Sequence, residues 1–117
     1  MLDINKAKDF VKNNNLTRAI TTSKIRKLLS AVNKISNKIR YQNNRDILSE
    51  DIVAEIAYMR VQFAYIVGKD NKNEGLKKLH KELDDAIANI NKNKNEFINF
   101  ARYVEAIVAY HKFFGGD

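Results

Sequence analysis

The residues able to do chemistry are few, and their spacing suits catalysis poorly. His80 and His111 are the two histidines. Both fall at or within the apolar stripe of a helical segment, where a core or edge imidazole is the expected role. Asp84 and Asp85 are adjacent, but neighbours on a helix point about 100° apart and converge badly on a metal. The absence of Cys excludes thiol catalysis, disulfide scaffolds and Cys-based zinc sites, and it is the usage expected of a cytoplasmic protein. No HExxH, P-loop, GxGxxG or Ser-centred elbow is present. No catalysis, metal or cofactor is therefore expected.

What the sequence offers instead is positive charge concentrated in one half. The 117 residues carry 21 Lys and Arg against 14 Asp and Glu, a formal charge of +7. From Met1 to Leu48 there are eleven basic residues and three acidic ones; from Ser49 to Asp117 there are ten and eleven. Between Asp9 and Asp46 lie Lys12, Arg18, Lys24, Arg26, Lys27, Lys34, Lys38, Arg40 and Arg45, with no acid among them. Such a block repels itself unless it meets an anion, so the choice is between a phosphate-bearing partner and a solvated basic face. At 100° per residue, Lys27, Lys34, Lys38 and Tyr41 fall within about 60° of one another, opposite an apolar stripe. They rise some 20 Å along the helix, enough to follow several phosphates without reading base identity. Lys24, Arg26 and Lys27 also occupy a first helical turn, where the helix dipole disfavours cations. An anion docked on Thr21, Thr22, Ser23 and the free amides would remove that conflict.

The elements that must position these residues read as helices throughout. There is no Pro, only four Gly, and apolar residues recur at three and four positions. One domain over residues 1–117 is expected, long enough to bury an ordinary core. The predicted fold is all-α, a compact bundle of about five helices. The first covers about 3–13 and is stopped by Asn13, Asn14 and Asn15; a loop runs to Thr21. The second starts at a Thr22/Ser23 cap and reaches about Gln42, with Ile25, Leu28, Leu29, Val32, Ile35 and Ile39 on one face. The third runs from Ser49 to about Gly68 and is apolar all round, which predicts the central helix of the bundle. A fourth carries Leu76, Leu79, Leu83, Ala86, Ile87 and Ile90. The last opens at Asn95 and Glu96, carries Phe97, Phe100, Val104, Ile107 and Val108, and stops at Gly115 and Gly116. No apolar run exceeds five residues and MLDINKAKDF lacks the character of a signal peptide, so neither a membrane span nor secretion is expected.

Arg60 stands on the apolar third helix and must meet a carboxylate or reach the surface, since an unpaired buried guanidinium is costly. Glu55 or Glu105 is the expected partner, and a nucleic-acid contact is the alternative. Phe10, Phe63, Phe97 and Phe100 fall on core stripes and offer no stacking platform. Tyr103, Tyr110, Phe113 and Phe114 extend beyond the main stripe of the last helix and suit either the core or a partner surface.

Three blocks carry a family resemblance. LTRAITTSKIRKLLSAVNKI, from Leu16 to Ile35, is similar to the Thr-Thr-Ser-x-Ile-Arg motif of the small subunit of type III-A CRISPR (Csm) effector complexes. MRVQFAYIVGKD, from Met59 to Asp70, resembles the family's Val-x-x-Ala-Tyr-x-x-Gly stretch, and YVEAIVAYHKFFGG, from Tyr103 to Gly116, its Glu-Ala-x-Val-Ala-Tyr-His-Lys signature. Lys69 departs from the Arg expected after Gly68, keeping the charge and losing bidentate geometry. The resemblance implies a helical subunit without activity of its own, present in several copies beside the backbone and large subunits. It would support guide and target RNA through contacts that ignore sequence, since base pairing supplies the choice of target. Arg26 falls on the motif Arg. Lys24, Lys27, Lys34, Lys38, Arg40, Arg60 and Lys69 complete the expected RNA-binding set. A helical dimerisation module that docks through the C-terminal aromatics and touches no nucleic acid is the alternative. A helix-turn-helix DNA binder is disfavoured by the long loop between the first two helices.

Overall fold

The computed structural model describes residues 3–41 and 46–116; Arg45 and the expected helix end at Gln42 lie outside them. Among the described residues the chain forms six α-helices and no strand, only an isolated bridge between Ile47 and Asn93. A 3₁₀ turn at Ile4–Lys6 leads into α1 (Ala7–Asn13), followed by α2 (Leu16–Ala19), α3 (Thr22–Arg40), α4 (Glu50–Gly68), α5 (Glu74–Ala88) and α6 (Lys94–Phe113). The loop expected up to Thr21 contains α2, a single turn entered through Asn15 in the left-handed region at φ 52°. Asn tolerates that conformation better than most residues, and Leu16 then drops fully into the core.

Four helices begin with a side-chain cap that replaces a missing backbone partner. Thr21, not Thr22 or Ser23, caps α3, its hydroxyl accepting from the Lys24 amide at 3.2 Å. Ser49 caps α4, Asn73 caps α5 and Asn93 caps α6. The sixth helix ends as the two glycines predict. Gly115 takes φ 93°, its N–H donates to the Lys112 carbonyl at 3.0 Å, and the Gly116 N–H donates to the His111 carbonyl at 2.9 Å. That pairing is a Schellman closure.

The central helix is α6, not α4. It packs against the 3₁₀ turn, α1, α2, α3 and α5, whereas α4 packs on α3 and α5 alone. Phe97, Phe100, Tyr103, Val104, Ile107 and His111 of α6 are buried, and they meet Ala7 and Val11 of α1 and the stripe Ile25, Leu28, Val32, Ile35 and Ile39 of α3 in one core. Helix α4 buries Ile52, Ile56, Met59, Phe63 and Val67. Val53 and Ile66 are half-buried against the core, while Tyr58, Val61 and Tyr65 face water, 62%, 61% and 66% exposed. Apolar residues all round a helix mean two covered faces only if a second element is there, and the described residues supply none for the outer one.

His111 is a core histidine. It is fully buried and its Nε2 donates to the Ile20 carbonyl at 2.6 Å, tying α6 to the segment that starts α3. Gly116 packs directly on the imidazole, so close that a Cβ there would lie 2.2 Å from the ring. Tyr103 resolves to core as well, at 3% exposure. Its hydroxyl is pushed up to about 12, first by burial and then by the charge of Glu82. Tyr110, Phe113 and Phe114 cluster at the end of α6 with ring centroids 5.3 to 6.5 Å apart, and Phe113 remains exposed.

Candidate nucleic-acid interface

The interface begins with the two-faced character of α3. Its apolar stripe is pinned to α6 and α4, which forces Arg26, Lys27, Lys34 and Lys38 outward. Between α3 and α4 this leaves an open groove of about 710 Å³, lined on the α3 side by Thr22, Ser23, Arg26, Lys27, Ser30, Ala31 and Lys34, and on the α4 side by Gln62 and Ile66. No carboxylate lines it. Further along α3 the groove continues past Lys34 and Lys38 to Asp51, Glu55 and Tyr58. One end is therefore positive and hydroxyl-rich, and the other is balanced by acids.

The eight cations expected to meet RNA fall into three situations. Arg26, Lys27 and Lys34 share the acid-free stretch, exposed and without an ion-pair partner among the described residues. Lys24 and Lys38 are close by but engaged. The Lys24 ammonium donates to Asp70 Oδ2 at 2.7 Å, and Lys38 pairs with Glu55. The Lys24 hydrogen bond, followed by one from Asn73 at 3.0 Å, holds the Asp70 carboxyl below its ordinary range. The helix start that called for an anion thus receives one from the chain itself, while the Thr21 hydroxyl is spent on capping.

Arg40, Arg60 and Lys69 stand outside the groove. Arg40 is exposed in the last turn of α3, where the dipole favours a cation. Arg60 meets neither Glu55 nor Glu105. Its Nε donates to Asp84 Oδ1 at 2.8 Å and its Nη2 to Asp84 Oδ2 at 3.1 Å, a two-pronged pair joining α4 to α5. The guanidinium is about two-fifths exposed, so it both reaches the surface and meets a carboxylate. The pair lowers the Asp84 carboxyl and raises the Arg60 guanidinium, in each case chiefly through the hydrogen bond. Lys69 lies over the Tyr65 ring, 5.1 Å from its centroid, as a cation–π contact.

Helical spacing identifies the basic face of α3, but it cannot supply residues 24 to 46 positions away. Asp70 and Asp84, which decide which cations are engaged, lie beyond its reach, as do Gln62 and Ile66, the opposite wall. Chemically the site offers two ammonium groups, one guanidinium and the exposed hydroxyls of Ser23 and Ser30, the Thr22 hydroxyl being buried. Among the described residues no group of His, Asp or Glu is placed to hold a metal ion, and no helix is long and apolar enough to cross a membrane.

Comparison with known proteins bears on the whole chain. Residues 3–117 match the family described as Csm2 Type III-A. A "CRISPR system Cms protein Csm2" of Enterococcus italicus is 32% identical over 129 aligned residues, covering 97% of this chain and 90% of the relative. The protein of that name from Streptococcus thermophilus is 34% identical over 105, covering 90% and 81%. One from Mycobacterium tuberculosis is 28% identical over 94, covering 80% and 74%.

Proposed function

This chain belongs to the Csm2 type III-A family, a small subunit of the type III-A CRISPR complex, and from that premise we propose that its task there is to hold RNA by the phosphate backbone without regard to sequence. Membership implies the other Csm subunits as partners. The finer reading adds guide and target RNA, further copies of the chain along them, and no catalytic step of its own. One observation carries it: Arg26, Lys27 and Lys34 converge with the Ser23 and Ser30 hydroxyls on a stretch of the groove that no carboxylate lines. Lysines contribute point charges on flexible stems, and hydroxyls donate readily to phosphate oxygens. Neither demands a particular base. Where sequence is chosen by pairing between two RNA strands, a surface that senses backbone charge is sufficient.

Electrophoretic mobility shift on single-stranded RNA tests the proposal. The triple variant Arg26→Glu, Lys27→Glu, Lys34→Glu is expected to lose binding while its helical circular dichroism is unchanged, because all three side chains are exposed. Retained binding by a folded triple variant would remove this groove as the site. The dimerisation alternative has its own support in the exposed Phe113 beside Tyr110 and Phe114. Under that reading self-association would persist in high salt, and the triple variant would behave as wild type.

A further inference from the structure

The proposed groove has a second wall that charge does not explain. On α4, Tyr58 and Tyr65 are 62% and 66% exposed, although tyrosine rings usually bury most of their area. Seven residues apart, they lie about 20° from each other around the helix and roughly 10 Å apart along it. Gln62, which lines the groove opposite Arg26 and Lys34, falls between them along the axis and within about 60° of each. Tyr58 itself lines the continuation of the groove with Lys34 and Lys38. Tyr58 thus stands at the edge of α4 that looks across to the basic face of α3, and helical spacing puts Tyr65 on the same exposed face two turns on. Val61, Ala64, Tyr65 and Gly68, the residues that define the Val-x-x-Ala-Tyr-x-x-Gly stretch, are all exposed, so packing among the described residues does not account for them.

Cations on one wall and open aromatic faces on the other are the two halves of a single-strand site: phosphates run along the charges and bases stack on the rings. The Lys69 ammonium over Tyr65 shows that ring presenting its electron-rich face. A protein partner covering the same tyrosines would have to meet Arg26, Lys27 and Lys34 with carboxylates of its own, whereas a nucleotide brings phosphate and base together. We propose, resting on the RNA reading above, that Tyr58 and Tyr65 stack the bases of unpaired nucleotides whose phosphates lie on Arg26, Lys27 and Lys34. The groove then prefers unpaired nucleotides to a continuous duplex, whose bases are closed within the helical stack and out of reach of the rings.

The test uses the full chain and two RNAs of the same sequence, one single-stranded and carrying 2-aminopurine, one annealed to its complement. Wild type is expected to quench the 2-aminopurine emission and to bind the single strand more tightly. Tyr58→Ala and Tyr65→Ala should each relieve quenching and weaken single-strand binding by roughly fivefold or more, the lower end of base-on-aromatic stacking, with duplex affinity unchanged. Tyr58→Phe and Tyr65→Phe, which keep the ring face, should retain both. If wild type binds RNA but the double alanine variant binds and quenches as well as wild type, the stacking proposal is overturned and the phosphate reading stands. A double variant that binds RNA normally and loses self-association would assign the face to a second copy of the chain, again overturning it. Wild type that binds neither RNA at low salt removes both.

Discussion

Arg26, Lys27 and Lys34 are left open on the groove while cations beside them are engaged. Asp70 engages Lys24, Glu55 engages Lys38 and Asp84 engages Arg60, so of the cations around the groove these three keep their charge uncompensated among the described residues. Single substitutions should follow this division. Lys27→Ala and Lys34→Ala are each expected to weaken RNA binding severalfold, and Arg60→Ala to leave it nearly unchanged in the same titration. Arg60 acts on stability instead. With both partners more than a third exposed, solvent screening limits its pair with Asp84 to about 0.5–1 kcal/mol. Because the Asp84 carboxyl is lowered in the folded state, its contribution is present above the unfolded value near 4 and lost as pH falls through the lower folded one. Urea unfolding of Asp84→Asn should accordingly show reduced stability at neutral pH and a shallower acid loss than wild type. Tyr103 behaves in the opposite sense. Its hydroxyl is raised to about 12, so the neutral phenol stabilises the fold fully below about pH 10 and that share is lost as pH rises through 12. Tyr103→Phe should flatten the alkaline limb. The basic residues of α3 were legible in the sequence because they share one helix; their carboxylate partners were not, because they arrive from α4 and the loop after it.

At the scale of elements, two glycines set how closely helices meet and stop. A Cβ on Gly75 would lie 2.4 Å from the Ala19 Cβ, so α5 crosses α2 where only a hydrogen fits. Gly75→Ala is expected to cost about 1–3 kcal/mol by overpacking, and adding Ala19→Gly should recover part of it in urea titrations. Gly115, at φ 93°, occupies the left-handed closing position of α6, where an alanine costs about 1 kcal/mol. Periodicity revealed α3, α4, α5 and α6 because each carries several turns of apolar spacing, and the Asn run marked the end of the shorter α1. It missed α2, whose four residues complete barely one turn and whose order comes from Leu16 docking in the core and Asn73 donating to the Ala19 carbonyl at 2.6 Å. It also placed the wrong helix at the centre. A helix apolar all round reads the same whether its second face is packed within the chain or left exposed, and among the described residues α4 is the second case. The interior role of α6 lies in which neighbours surround it, a property of topology that helical spacing does not encode.

For the whole molecule, a core threaded by α6 holds α3 rigid by one face so that the other can carry uncompensated charge. Three exposed cations are thereby gathered on one acid-free stretch of surface. Overall composition left an anionic partner and a solvated basic face both open, and the three motif blocks pointed to the family that the match over residues 3–117 establishes. Which cations converge emerged only when α4 supplied the opposite wall. The most direct test of the central claim is the affinity of the purified chain for two single-stranded RNAs of unrelated sequence, measured across a series of salt concentrations. With about three phosphates met per copy, log affinity should fall against log salt with a slope near −2, at about 0.7 per contact, and the two RNAs should bind within about twofold of each other. No binding at low ionic strength, an affinity indifferent to salt, or a strong preference for one sequence would contradict it.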